Sequence, residues 1–326
     1  MTTRTKVDVL FVGHCSHEVS GVLGVCRELD LTSEILEAGS MDDGMKLYDP
    51  KLVMIGPLAS MKSSRATATK NPGTIFIRRT HTIPGVWDSC EEAGVIASWI
   101  KTCEMLSNCR LGSSCRRVHV TLETLDNVVL WPTLYDLPCL EPRCISDGVM
   151  RLACGGRSSQ MGENLVVVLA VAALRRDHDV ELHVWERKGD ARSEWLCLLG
   201  NSLHVHVCSD GPESFCASLG SESIDVFLQP SISYGFSLSA ADALSAGIPV
   251  VGTESIEFLP KAWLVRDPGS ATEVAERILD LEKLTGDEIH SAQRAFTAFC
   301  ETRRKEVEAT MRNLLSGTAV PDGESK

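Results

Sequence analysis

The feature that most limits what this chain can become is a repeated alternation: short, almost unbroken apolar runs, each followed by a stretch of helical periodicity. Lys6 to Gly13 (KVDVLFVG), Lys51 to Gly56 (KLVMIG) and Thr74 to Arg78 (TIFIR) are such runs in the first half. Val149 to Cys154, Val180 to Trp185, Leu203 to Cys208, Ile224 to Gln229 and Ile248 to Gly252 follow in the second. A strand that is apolar at nearly every position is buried on both faces, so it belongs to a parallel sheet with helices packed on either side. Between these runs the apolar spacing turns helical. A loop holding Ser20 and Gly21 leads to Val22, Val25 and Leu29, and further helices are read at Val95 to Leu106, Glu163 to Arg175, Glu194 to Leu199, Pro212 to Leu219 and Leu238 to Ala246. Arg117 to Leu122 (RVHVTL) alternates and reads as a short β-like piece, as does Asn127 to Leu130. From Ala271 onward the pattern is helical.

Pro132, Pro138 and Pro142 fall within eleven residues. Each proline removes a backbone donor and restricts the residue before it, which suits a linker. A length of 326 residues accommodates two domains. The fold expected is therefore α/β, with two Rossmann-like doubly wound domains facing a cleft. They span residues 1–146 and 147–295, followed by a C-terminal helix at 296–316 and a flexible polar tail at 317–326. In such sheets ligands bind beyond the carboxyl ends of the strands.

Composition narrows the partners. With 32 basic against 44 acidic residues the formal charge is −12, which argues against diffuse electrostatic binding of nucleic acid and leaves nucleic acid only as an acceptor in a local basic groove. The longest apolar stretch, Leu165 to Leu174, is well short of the roughly 20 residues a membrane span needs, and the opening residues do not read as a secretory signal. The 13 cysteines include no Cys-x-x-Cys pair and read as reduced, apolar fillers in a cytoplasmic protein. Cys103, Cys109, Cys115 and His119 are spaced by six, six and four, which matches no compact zinc site. His204 and His206 alternate on one strand face with no third ligand near them in sequence, so no metal site is expected. Arg303-Arg304-Lys305 reads as a solvated helix face.

The most informative stretch is Gln229 to Gly252, QPSISYGFSLSAADALSAGIPVVG. A buried strand ends at Pro230, and a loop passes Tyr234-Gly235-Phe236. Ser237 then caps a helix with apolar positions at Leu238, Ala241 and Leu244, Gly247 ends it, and Pro249 begins the next strand. The start of such a helix presents free amides and the positive end of its dipole, a suitable seat for a diphosphate. An ordinary capped strand–helix–strand unit satisfies the same local physics.

This segment resembles the C-terminal signature of GT-B glycosyltransferases, specifically the retaining glycosyltransferase family four group, with Pro230, Ser231, Gly235, Phe236, Ala243, Gly247, Pro249, Val250 and Val251 in the positions of that pattern. Upstream, Cys154-Gly155-Gly156-Arg157 followed by Asn164 resembles the segment that opens the family's nucleotide-sugar domain. The resemblance covers about residues 149 to 265. It implies a retaining, metal-independent transfer of a sugar from a nucleotide-diphosphate donor to an acceptor hydroxyl, with the donor as substrate and no obligatory cofactor. The acceptor would be a glycan, a metabolite, a lipid-linked sugar or, as in some viral enzymes, a modified DNA base.

By the same resemblance Arg157 is the cation on the diphosphate, where a forked and permanently charged guanidinium is well suited. The Ser237 hydroxyl and the amides of Ser237 and Leu238 complete the phosphate seat, with Gly156, Tyr234, Gly235 and Phe236 around it. Asp242 accepts from the ribose hydroxyls, His81 contacts the transferred sugar, and Ser20 and Gly21 lie in the first-domain loop over the phosphates. It also implies that the terminal helix crosses back to the first domain. Three departures stand out: Tyr234 replaces the family's first acidic residue, the lysine expected after Arg157 is absent, and Thr253-Glu254-Ser255 replaces a glycine-rich turn. Arg78, Arg79, Lys188 and Lys261 are the candidate replacement cations. The alternative these departures raise is a catalytically weak or silent GT-B binding or scaffold protein.

Overall fold

The computed structural model describes residues 4–13, 16–36, 41–56, 61–80, 92–136, 138–142, 148–155, 163–187, 203–208, 212–231 and 236–316. Two compact units emerge: Met1–Asp136 with Cys300–Lys326, and Leu137–Phe299.

The first unit is built on a six-stranded parallel sheet of β1 (Thr5–Val12), β2 (Ser33–Leu36), β3 (Tyr48–Ile55), β4 (Ile75–Thr80), β5 (Cys109–Ser113) and β6 (Val128–Leu130), in the order β2-β1-β3-β4-β5-β6. Period two along β1 and β3 divides their side chains between two cores. Leu10, Val12, Val53 and Ile55 join Met41, Ile96, Trp99, Val118 and Leu122 from α2 (Met41–Leu47), α4 (Glu92–Met105) and α5 (Arg116–Leu122). Val9, Phe11, Leu52 and Met54 join Val22, Val25 and Cys26 of α1 (Ser16–Glu28) on the other side. A further helix, α3 (Met61–Lys70), precedes β4. Both faces are covered, which is why the carboxyl-terminal halves of β1 (Val9 to Val12) and β3 (Leu52 to Ile55) are apolar without interruption.

The second core of this unit is completed by Val307, Met311 and Leu314. These belong to the last helix, α10 (Gly286–Ser316), whose residues from Cys300 onward are part of the first unit. The crossing back of the terminal helix is thus observed. The basic run on it is a solvated face only at Lys305, which is exposed: Arg303 is buried and bonds Glu306 at 3.0 Å, and Arg304 bonds Glu28 of α1 at 2.9 Å and Asp136 at 2.6 Å.

Two local expectations are corrected. RVHVTL is helix α5, because Cys115 caps it, its Sγ accepting from the Val118 amide at 3.4 Å, and helical spacing buries Val118 with Leu122 while Val120 is exposed. Ser20 and Gly21 lie inside α1 rather than in a loop before it. A Cβ on Gly21 would stand 2.6 Å from Leu134 Cβ and 3.2 Å from Asp136 Oδ2, and one on Gly24 would stand 3.1 Å from Arg304 Nη1. The two glycines, one turn apart, let the 131–136 segment and Arg304 close against the helix.

The second unit carries β7 (Met150–Gly155), β8 (Val180–Arg187), β9 (Leu203–Cys208), β10 (Val226–Leu228) and β11 (Val250–Val251) as a parallel sheet in the order β11-β10-β7-β8-β9. Its described helices are α6 (Glu163–Leu174), α7 (Pro212–Ser221), α8 (Leu238–Ser245), α9 (Ala271–Leu281) and the first part of α10. The α6 and α9 helices pack together, and Trp185 on β8 donates to Ser218 of α7 at 2.8 Å. Both sheets are doubly wound, as expected. Among the described residues no helix is long and apolar enough to cross a membrane.

Candidate functional site

The strand order of the second unit places a topological switch point between β7 and β10: the chain moves outward to β8 and β9 on one side and to β11 on the other. Crevices for ligands open at the carboxyl ends of the strands at such points. Here those ends are Gly155 on β7 and Leu228 on β10, and the helix that follows β10 is α8.

Helix α8 is held firmly. Ser237 caps it, its Oγ accepting from the Ala240 amide at 3.2 Å while its carbonyl accepts from Ala241 at 3.0 Å. The amides of Leu238 and Ser239, in the first turn, have no intrahelical acceptor and carry the positive end of the dipole. Residues Ala240 to Ser245 are all buried, Asp242 among them at 5% exposure, whereas Leu238 is 46% exposed. At the far end the carbonyls freed by the last turn are satisfied: Gln293 Nε2 donates to Leu244 O at 3.0 Å and to Leu140 O at 2.9 Å, and Leu140 N donates to Ser245 O at 2.6 Å. Gly247 ends the helix with φ +79°, and a Cβ there would stand 2.7 Å from Pro142 Cα.

Gly155 faces the start of this helix. A Cβ placed on it would be 3.7 Å from Ser239 Oγ, so the end of β7 and the first turn of α8 approach one another with no side chain between them. Sequence reasoning named Gly156 and Arg157, the two residues after Gly155; both lie outside the described residues, as do His81, Tyr234, Gly235 and Lys188. Ser237, Leu238 and Asp242 come together on α8. The Phe236 ring packs with Phe258, Phe296 and Phe299 at centroid distances of 5.1, 6.5 and 6.5 Å, which anchors the approach to the cap. Of the remaining candidate cations, Arg78 is buried within β4 and Lys261 is exposed at the start of a 3-10 turn.

The departure at Thr253-Glu254-Ser255 has a structural counterpart. The Thr253 and Ser255 hydroxyls both donate to the carbonyl of Ser231, the latter at 2.6 Å, tying the turn after β11 to the segment after β10.

Among the described residues, Cys103, Cys109, Cys115 and His119 do not form a group whose ligating atoms lie within 4.8 Å of one another. Cys103 and Cys109 are buried, and burial pushes their thiols up to about 12 and about 11. His119 instead pairs with Ser113 Oγ at 3.0 Å. What the sequence reading missed lies on β8 and β9: His204 and His206 do have carboxylate and imidazole neighbours close by, namely Glu181, His183 and Glu222. Burial, then the neighbouring His204 and His206, push His183 down to about 4, and burial also lowers His206. The signal was the register of LHV in β8 against LHVHV in β9, which only pairing of the strands reveals.

Comparison of the sequence with protein families and with curated proteins gives no match. The fold does match solved structures. OtsA in its apo form aligns with 97% of this chain and 100% of its own, at TM-score 0.64 and 10% identity. A glycosyltransferase from Rickettsia africae aligns over 97% and 94% at TM-score 0.56 and 13% identity. TarM of S. aureus, in complex with fondaparinux, α-GlcNAc-glycerol and UDP, aligns over 82% of this chain at TM-score 0.56 and 12% identity; there the chain spans only 55% of its neighbour. The architecture is that of the GT-B glycosyltransferases.

Proposed function

We propose that this chain is a glycosyltransferase that moves a sugar from a nucleotide-diphosphate donor to an acceptor hydroxyl, with retention and without an obligatory metal. The observation that carries the reading is the meeting of Gly155 with the first turn of α8, separated by 3.7 Å at the nearest built atom, at the switch point of a doubly wound sheet. Backbone amides, a dipole and a gap the size of a missing side chain are what a diphosphate requires. Arg157, two residues beyond Gly155, supplies the fixed positive charge that offsets the charge building on the leaving nucleotide. Asp242 accepts from the ribose, and His81 contacts the transferred sugar. The UDP bound in the complex of the structurally similar TarM supports a nucleotide sugar as donor. The formal charge of −12 disfavours a nucleic-acid acceptor and favours a hydroxyl on a glycan, a metabolite or a lipid-linked sugar.

A thermal-shift series with nucleoside diphosphates and nucleotide sugars tests this. A ligand at hundredfold excess over its dissociation constant stabilises by about 2.7 kcal/mol, on the order of 5 °C or more for a domain of this size. Arg157→Ala is expected to abolish that shift and Lys305→Ala to leave it intact. A shift without turnover of any donor would support the silent relative that Tyr234 and the missing lysine suggest; no shift with any nucleotide, together with no hydrolysis of any donor, would end the enzyme reading.

A further inference from the structure

The outer part of the second sheet gathers a set of side chains that the proposed transfer does not use. Parallel register sets His183 on β8 opposite His204 on β9, and Trp185 opposite His206. Period two then brings Glu181, His183, His204 and His206 to one face. The rings stack, with centroids 4.7 Å apart for His183 and His204 and 5.2 Å for His183 and His206. Glu222, in the turn after α7, approaches from above the sheet, 3.9 Å from both His183 Nδ1 and His206 Nδ1.

The proton inventory around His183 does not close. The side chain is buried, and its Nδ1 lies 3.0 Å from His206 Nε2, so one hydrogen is shared between those two atoms. Its Nε2 is also buried and has no hydrogen-bond partner among the described residues, while Glu181 Oε2 stands 3.6 Å away. If His183 donates through Nδ1, its Nε2 offers a lone pair to a carboxylate, two acceptors facing one another. If His206 donates instead, an Nε2–H points at the Glu181 carboxylate across 3.6 Å, a long and weak contact for a buried donor. A cation between Nε2 and the carboxylate resolves the first arrangement, and metal-bound histidines characteristically donate their other ring N–H to a neighbour.

We propose that Glu181, His183 and His204 form a binding site for a divalent transition cation of the zinc, cobalt or nickel class, with His206 orienting the His183 ring. The donors are the two Nε2 atoms and the Glu181 carboxylate, all within 4.8 Å of one another, with Glu181 3.6 Å from His183 and 3.7 Å from His204. Bond lengths of about 2.0 to 2.1 Å in tetrahedral geometry put ligand atoms about 3.3 Å apart. Rotation of the half-exposed His204 and of Glu181 is enough to close the set on the fixed His183. Imidazole and carboxylate donors suit these metals rather than magnesium or calcium, and three protein ligands leave a fourth position for water. Arg151 Nε lies 3.5 Å from the same Glu181 oxygen, so the metal shares that carboxylate with a guanidinium. The site stands apart from the Gly155 crevice: His183 pairs with Ala153, two residues before the end of β7. Bridging β8 to β9, the metal fastens a strand that, among the described residues, has a partner on one side only.

The test uses the full chain, stripped with chelator and titrated with Zn2+ or Co2+ alone. One equivalent is expected to bind and to raise the melting temperature, and the cobalt form is expected to show visible bands without the thiolate charge-transfer band that cysteine ligation adds. His204→Ala and Glu181→Gln should each weaken binding tenfold or more, and His206→Ala tenfold to a hundredfold. His178→Ala, on an exposed turn, should leave binding unchanged. If His183→Gln does not fold, the exposed His204 decides the matter, its variant's fold being checked by circular dichroism without metal. Equal affinity of His204→Ala and wild type, a thiolate band, or no binding at stoichiometric metal would overturn the proposal.

Discussion

The two units share an architecture and spend their glycines differently. In the first, Gly21 and Gly24 sit mid-helix in α1 and admit neighbouring chain: Leu134 and Asp136 press on one, Arg304 on the other. In the second, Gly155 stands at the end of a strand, and the space it leaves is bounded by Ser239 at ordinary contact distance. The lesson is that a glycine after the first strand of a doubly wound unit does not by itself mark a phosphate seat. What surrounds the missing Cβ decides, and in α1 the surroundings are already packed.

Substitutions can break or sharpen this contrast. The largest effect is expected for Gly21→Val, where added atoms meet Leu134 with no room to move; overpacking of this kind costs about 3 kcal/mol, read by urea denaturation, and the nucleotide-induced shift should persist. If Gly21→Val folds normally but loses that shift, α1 belongs to the donor site after all. Gly155→Val should do the reverse, leaving stability within about 1 kcal/mol while cutting nucleotide affinity at least tenfold by calorimetry, because its methyl groups fill the space before α8. Ser237→Ala removes the cap of α8 and should lower stability by about 1 kcal/mol, with a parallel loss of nucleotide affinity as the first turn frays.

The smallest effect falls in the first unit. Asp8 bonds Lys51 at 2.8 Å and both the amide and hydroxyl of Thr32 at 3.0 and 2.9 Å. Led by the Lys51 contact, these hold its carboxyl below the ordinary aspartate value of 3.8 against the opposing effect of burial. A depressed folded-state value means that the carboxylate's stabilisation is present above the unfolded value and is lost as pH falls through the folded one. Stability measured from about pH 5 down to pH 2 should therefore fall less steeply in Asp8→Asn than in wild type, and identical slopes would remove Asp8 from the balance.

Much of the fold was legible because burial on two faces leaves a direct trace: Val9 to Val12 and Leu52 to Ile55 have nothing polar to misread. Where one element obeys two periods the trace fails. RVHVTL alternates like a strand, yet its helix is fixed by Cys115 and by Val118 with Leu122, residues whose partners lie far along the chain. Strand β5, Cys109–Ser113, was invisible for the opposite reason: it carries Arg110 and Gly112, and a Cβ on Gly112 would stand 3.0 Å from Ile77 Cγ2, so small size rather than β-branching admits it to the sheet. In the candidate site the cap and helix were readable from Ser237 and the apolar spacing after it, since capping is local. The histidine cluster was not, because Glu181, His183, His204 and Glu222 meet only through strand register and a distant turn.

One consequence reaches beyond the folded state. The sheet of the first unit is made from residues 5–130, yet the face bearing Val9, Phe11 and Met54 is sealed in part by Val307, Met311 and Leu314, far later in the chain. During synthesis α1 is at hand to cover part of that surface, but the part that Val307, Met311 and Leu314 seal stays open until the ribosome has read nearly to the end of α10. A surface translated before the whole second unit is thus finished only after it.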